Sequence, residues 1–371
     1  MITTTVHGRA EEFAADYRQL APRPPLHESL GWLRYCDRRS RGGMRYIAAW
    51  DNGRLVGLLA LRRTGDESRA STNYDVVAQV WPGSPPPLPP KDFFPQLFAA
   101  TSGARCLFTA TDPEARNALI DRAASLADAE DAPLTIAYLP DEQLAAETAA
   151  AIGEGHAMIG AETRLTVTWS DFEGYIASLP RQRRVIVRRE RRQYLESGLR
   201  TRIQHTTASL GVRAAELHVQ LMAKYGNSST VESFMADFDD LAATVDEHIT
   251  VFSAERDGVL TGVCVCLRDG STVHIRSLGF DYALAANDFV YFNLVFYEPI
   301  VWGLDHGVTD FCFGNGAYLA KLRRGARLEP LYGVVRWPAR LRAVGRDALE
   351  DREQRARADL GLPELALIRR A

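Results

Sequence analysis

The sequence predicts an α/β protein of two domains, with mixed sheets flanked by helices. Three observations predict it. Segments with strand-like and helix-like patterning alternate through both halves of the chain. Each half carries a hairpin signal at an acidic-Gly or Asn-Gly turn, followed by a helix and a further strand. At 371 residues the chain exceeds one ordinary core.

The totals narrow the class. Hydrophobic residues at 46% and charged residues at 25% are those of a water-exposed globular protein. The net charge of −3 offers no overall attraction to nucleic acid, so any basic site is local. The five cysteines, Cys36, Cys106, Cys264, Cys266 and Cys312, are scattered and mostly on apolar runs. That fits reduced thiols and a cytoplasmic protein. Cys264 and Cys266 lack a second Cys or His pair at zinc-type spacing, so no metal is expected. The N-terminus has no apolar stretch typical of a signal peptide. The run Phe289 to Leu304 is broken by Asn293, Glu298 and Pro299, so no membrane span is expected.

The first domain is drawn over 1–165. Residues 9–22 pattern as a helix that Pro22 to Pro25 end, and Glu28 to Cys36 as a second. Met44 to Ala60 reads as two strands around Asp51–Asn52–Gly53, with Gly57 marking a bulge or close backbone approach. Pro82 to Pro90 is a stiff loop within the domain. Strands at Leu107–Thr111 and Leu134–Tyr138 bracket a helix that starts at Asp112–Pro113. A helix over Asp141–Ile152 and a strand over Thr163–Trp169 follow.

The second domain is drawn over 166–337. A short helix, Phe172–Ala177, leads through Leu179–Pro180 into a basic helix, Arg181–Glu196. Two more helices fall at 208–224 and 231–247. Val251–Glu255, Leu260–Leu267 and Thr272–Leu278 form a meander joined at Asp257–Gly258 and Asp269–Gly270. A long apolar helix, Asp288–His306, ends at Gly307. Strands at Thr309–Phe313 and Gly333–Trp337 close the domain, and a charged helical tail occupies 338–371.

The segment Thr309–Gly333 organises the second half. Gly314 and Gly316 break a strand end, and Lys321, Arg323, Arg324 and Arg327 place four cations within seven residues. Ligands of open α/β sheets collect beyond the carboxyl ends of strands. A negatively charged partner is therefore expected there, either a phosphate or the oxyanion of an acyl transfer. Arg323 and Arg324 suit bidentate phosphate contact, or else a solvated face pairing with Glu329.

The basic helix holds seven arginines against Glu190 and Glu196. Arg181, Arg184, Arg188 and Arg191 are spaced to form one stripe. A polyanion, such as an RNA backbone or coenzyme phosphates, fits that stripe; so does a solvated helix or ion pairing between domains. Glu298 stands in an apolar run, where a lone carboxylate needs a partner. Lys321 or an arginine could pair with it, or it could act as the base for an attacking amine. Tyr297 beside it, with His274 and Arg276 on one strand face, are candidates for binding an acceptor; an ordinary structural role is the competing reading. No Ser/His/Asp order, Walker loop or dinucleotide fingerprint is present, which favours direct attack over a covalent intermediate.

Leu179–Pro180–Arg181–Gln182–Arg183–Arg184, the helix VYFNLVFYEPIVWGLDHG and the segment FGNGAYLAKLRRGA carry a resemblance. In their order and spacing they resemble the Fem-type acyltransferases of the GNAT superfamily, most clearly over 165–337. Trp32–Leu33 and Asp51–Gly57 fit more weakly. The resemblance implies two tandem GNAT-like domains, with Lys321 stabilising the developing oxyanion. Two departures accompany it. The best match to the acetyl-CoA phosphate loop, Arg276 to Asp281, lacks its third small residue. No sustained heptads mark the coiled-coil arm of cell-wall bridge ligases.

The expected activity is transfer of an aminoacyl or acyl group to the amine of a small acceptor. Aminoacyl-tRNA is favoured as donor over a thioester on coenzyme A or an acyl carrier protein, with no tightly bound cofactor. The alternative is a non-catalytic RNA- or ligand-binding module on the same scaffold.

Overall fold

The computed structural model describes residues 1–67, 74–82, 84–101, 106–224, 229–285, 288–345 and 347–360. In chain order its strands are β1 (Ile2–His7), β2 (Met44–Asp51), β3 (Arg54–Thr64), β4 (Gln96–Ala99), β5 (Phe108–Ala110), β6 (Leu134–Leu139) and β7 (His156–Thr166). Then come β8 (Arg200–Gln204), β9 (Ile249–Arg256), β10 (Val259–Asp269), β11 (Thr272–Phe280), β12 (Asp310–Cys312) and β13 (Arg327–Arg336). The chain divides into two compact units. One holds Met1–Glu162 and resumes at Glu329; the other is Thr163–Leu328. The sequence suggests contiguous domains over 1–165 and 166–337 and a separate tail from 338. Instead, Trp337, Leu341 and Leu349 pack with Val76, Val80 and Phe93, so the charged tail carries an apolar face into the first unit.

The first unit is a mixed sheet in the order β1-β2-β3-β4-β6-β13-β7, with β5 also on β3. The β2–β3 hairpin turns on Asn52 (φ 49°) and Gly53 (φ 79°), the two left-handed positions such a turn requires. At Gly57 a side chain would meet Leu119 at 3.0 Å and the Thr109 carbonyl at 3.2 Å. That explains the glycine in an otherwise apolar strand. The helix Pro113–Ala129 begins where Asp112 accepts the Ala115 amide at 2.9 Å.

The second unit runs β12-β11-β10-β9-β8, with the end of β7 paired to the other side of β12. Strands β8 to β11 are antiparallel neighbours, whereas β11 and β12 are parallel and paired only from Thr272 to His274. Its core packs Phe252, Phe280, Leu294, Phe296, Phe311 and Phe313. Two glycines let helices lie close on the meander. A Cβ at Gly262 would strike Val290 at 2.6 Å, and one at Gly279 would strike the His218 amide nitrogen at 2.8 Å. The stretch Arg276 to Asp281, the best sequence match to a phosphate loop, lies mostly within β11. Its glycine serves this approach of helix to strand.

Several elements depart from the sequence expectation. The apolar helix is not uniform: Val290–Phe292 and Glu298–Asp305 are α-helical, with a π-helical turn over Asn293–Tyr297 between them. Pro299 lacks the amide that would bond one turn back, and buried Asn293 donates to the Phe289 and Glu190 carbonyls. A short helix over Tyr318–Leu322, the edge strands β1 and β8, and the four-residue interior strand β4 were not anticipated. Strand β7 starts earlier than Thr163, and β13 continues through Pro330, a residue that argues against a central strand.

Two outcomes follow from this packing. Gly279→Ala pushes a methyl group into helix backbone and should cost about 1–3 kcal/mol, read from the urea midpoint. His218, in the helix Val212–Lys224, is buried with Nδ1 2.9 Å from the Ala214 carbonyl oxygen. Burial lowers its pKa, against the smaller pull of that carbonyl and Asp237. The unfolded chain therefore binds a proton that the folded chain refuses as pH falls below about 6.5. The urea midpoint should drop from pH 7.5 to pH 5.5, and His218→Gln should reduce that drop.

Candidate active site

The second unit gathers the cationic segment and the basic helix around one open groove of about 490 Å³. After β12 the backbone turns through Gly314 (φ 71°), Gly316 (φ 78°) and Ala317 (φ 47°) into the helix Tyr318–Leu322. The Gly314 carbonyl accepts the Thr163 hydroxyl at 2.7 Å and the Lys321 ammonium at 3.0 Å. Lys321 also lies 3.4 Å from the Asn315 carbonyl oxygen and is only 5% exposed. Its cation thus braces the glycine turn from inside, while Ala317, Leu319 and Ala320 line the groove.

Arg324 forms the floor. It is 5% exposed and donates twice to Glu190, at 2.9 and 2.7 Å. It also donates to the Tyr297 hydroxyl at 3.1 Å and to the Ala320 carbonyl at 3.0 Å. Its guanidinium lies over the Phe292 ring at 3.4 Å. Tyr297 in turn donates to Glu190. Burial holds the Tyr297 phenol well above its ordinary range, so it stays a neutral donor. Arg324 and Tyr297, expected at a phosphate and at an acceptor, are therefore occupied by each other and by Glu190.

The basic helix spans Arg181–Glu196 and buries Val187, Glu190 and Tyr194. The stripe proposed for a polyanion is largely turned to internal partners. Arg184 donates to the Leu179 carbonyl at 2.7 Å, and Arg188 pairs with Glu173 at 2.7 Å. Arg191 reaches Glu298 at 2.5 Å and the Asn293 side-chain oxygen at 3.1 Å. Glu298 also accepts the Thr201 hydroxyl at 3.1 Å. Of the partners expected for Glu298, an arginine has it rather than Lys321, and it does not line the groove. Arg181 is exposed and has no partner among the described residues.

Two other guanidinium groups face the groove, those of Arg183 and Arg323. Among the described residues neither side chain has a hydrogen-bond or ion-pair partner. Ile186, Val187, Phe292 and Leu319 supply apolar walls. Arg183 and Glu190 lie off the stripe of Arg181, Arg184, Arg188 and Arg191 and were not expected at the site. Their signal was the spacing 183, 186, 187, 190, 194, which follows the buried face of the helix. His274 and Arg276 lie on β11 away from this lining; Arg276 pairs with Asp237 at 3.4 Å.

Each unit is α/β, and the second carries a cationic groove that follows the end of β12, a strand parallel to β11. The FemAB-like family model, described as peptidoglycan biosynthesis/recognition, matches residues 45–357, and the chain belongs to that family. The fold is shared with FemX, at 15% identity over 89% of this chain and 96% of that one, with a TM-score of 0.55. L-PGS from Bacillus licheniformis gives 11% identity over 91% and 95%, at 0.53. A tandem GNAT protein from the clavulanic acid biosynthesis pathway gives 14% over 91% and 98%, at 0.51. No curated protein matches the chain in sequence. Among the described residues no helix is long and apolar enough to cross a membrane.

Removing one member of the buried pair tests its part in the site. Arg324→Ala leaves the Glu190 carboxylate buried and should cost about 3–5 kcal/mol in chemical denaturation. Arg324→Met combined with Glu190→Gln should recover part of that loss.

Proposed function

We propose that this protein moves an aminoacyl or acyl group from an activated donor, with aminoacyl-tRNA favoured, to an amine of a small acceptor by direct attack. The observation that supports it is the pairing of Arg183 and Arg323, without side-chain partners among the described residues, with apolar walls in one groove. That combination suits an acyl group carried on a phosphate-bearing donor. The cysteines Cys264, Cys266 and Cys312 are buried, and none lines the groove, which supports transfer without a covalent enzyme intermediate. The family description makes an amine of a peptidoglycan precursor the natural acceptor class.

Lys321, Gly314 and Asn315 are not among the groove's lining residues, and in this reading the attacked carbonyl reaches past the lining to the Gly314–Asn315 turn. Lys321, already held there by two carbonyls, supplies the positive charge as the oxyanion develops. Glu298 remains with Arg191, and His274 and Arg276 stay outside the groove as lesser candidates for the acceptor.

Charged tRNA, acyl-CoA and acyl carrier protein are offered separately with amine acceptors, and acyl loss is followed by mass spectrometry. Consumption of charged tRNA is the expected result; consumption of a thioester alone would reassign the donor. Arg183→Ala and Arg323→Ala should each raise the donor KM by roughly tenfold with kcat little changed. Lys321→Ala should lower kcat by roughly 10²–10³-fold with donor affinity nearly intact. A loss matching only the fraction of unfolded protein, measured by circular dichroism, would reduce Lys321 to a structural brace.

A further inference from the structure

We infer that the groove selects an uncharged, apolar acyl side chain and rejects a cationic one. The inference rests on the donor-site reading above and adds the class of group that the site accepts. Its first support is the charge of the lining. Arg183, Arg323 and Arg324 face it against a single carboxylate, Glu190. That carboxylate is saturated: Arg324 holds both of its oxygens, and the Tyr297 hydroxyl donates to one of them. Among the described residues, an ammonium or guanidinium group entering the groove would find no free anionic partner, and the single negative charge of a donor phosphodiester at Arg183 and Arg323 still leaves the lining net positive.

The second support is the wall. Ile186, Val187, Phe292 and Leu319 present aliphatic and aromatic surface, and Leu319 is 60% exposed. An apolar side chain of leucine or phenylalanine size removes that surface from water, whereas a lysine-sized chain would bring its charge to the arginines. The α-amino group is common to every aminoacyl donor, so the discrimination concerns the side chain alone. Solvent at the open rim screens the repulsion, which sets the expected preference near tenfold rather than thousands.

The test uses two non-hydrolysable probes, the 3′-amide analogues of leucyl- and lysyl-adenosine 5′-phosphate, with the full chain in calorimetry. The leucyl probe should bind about tenfold or more tightly than the lysyl probe. Arg183→Glu combined with Arg323→Glu should bring the ratio below about threefold, and the corresponding Arg→Gln pair should fall between. Equal binding of the two probes, binding of neither, or a ratio unmoved by the charge reversal would overturn the inference. The leucyl preference without transfer from charged tRNA would remove the donor assignment and leave the selectivity standing.

Discussion

The buried ion pair between Arg324 and Glu190 is the constraint on which the second unit's site depends. One guanidinium bonds the helix Arg181–Glu196 through Glu190, the π-helical turn through Tyr297, and its own segment through the Ala320 carbonyl. Phe292 covers the face of the cation. Such a pair adds little net stability over an apolar substitute, because both charges lose their hydration. Its effect is on geometry. Five donors in a rigid plane hold three elements in one arrangement, and Lys321 lies one helical turn before Arg324.

A second theme is the disposition of positive charge. The arginine-rich helix looks unpaired in sequence because its carboxylate partners lie elsewhere in the chain. Glu173 comes from the preceding helix and Glu298 from the far side of the meander. Neutralising Arg188, Arg191 and Arg324 internally leaves Arg183 and Arg323 as the guanidinium groups offered to the groove. Local charge is thereby concentrated at one place on a chain whose net charge is −3.

Backbone irregularities place these side chains. Pro299 and Asn293 widen one turn of the apolar helix, which rotates Tyr297 into the buried pair and Glu298 toward Arg191. Gly314, Gly316 and Ala317 turn the chain from β12 into the short helix that carries Lys321. Gly262 and Gly279 bring helices against the meander at distances no side chain would allow.

The elements with strong local signals were legible from the residues alone. The Asp51–Gly53 hairpin, the Asp112 cap, the basic helix over Arg181–Glu196 and the three-strand meander appear where turn chemistry and periodicity put them. So were the two-unit α/β class and the Fem-type resemblance, because they rest on the order of such segments. The short strands β1, β4 and β8 and the helix after Gly316 were not legible, since their few residues are held by neighbours more than by propensity. Tertiary structure alone decided which cations remain available. An ion pair such as Arg324–Glu190 joins residues 134 positions apart, and a carboxylate that distant leaves no local periodic trace beside the arginine it neutralises.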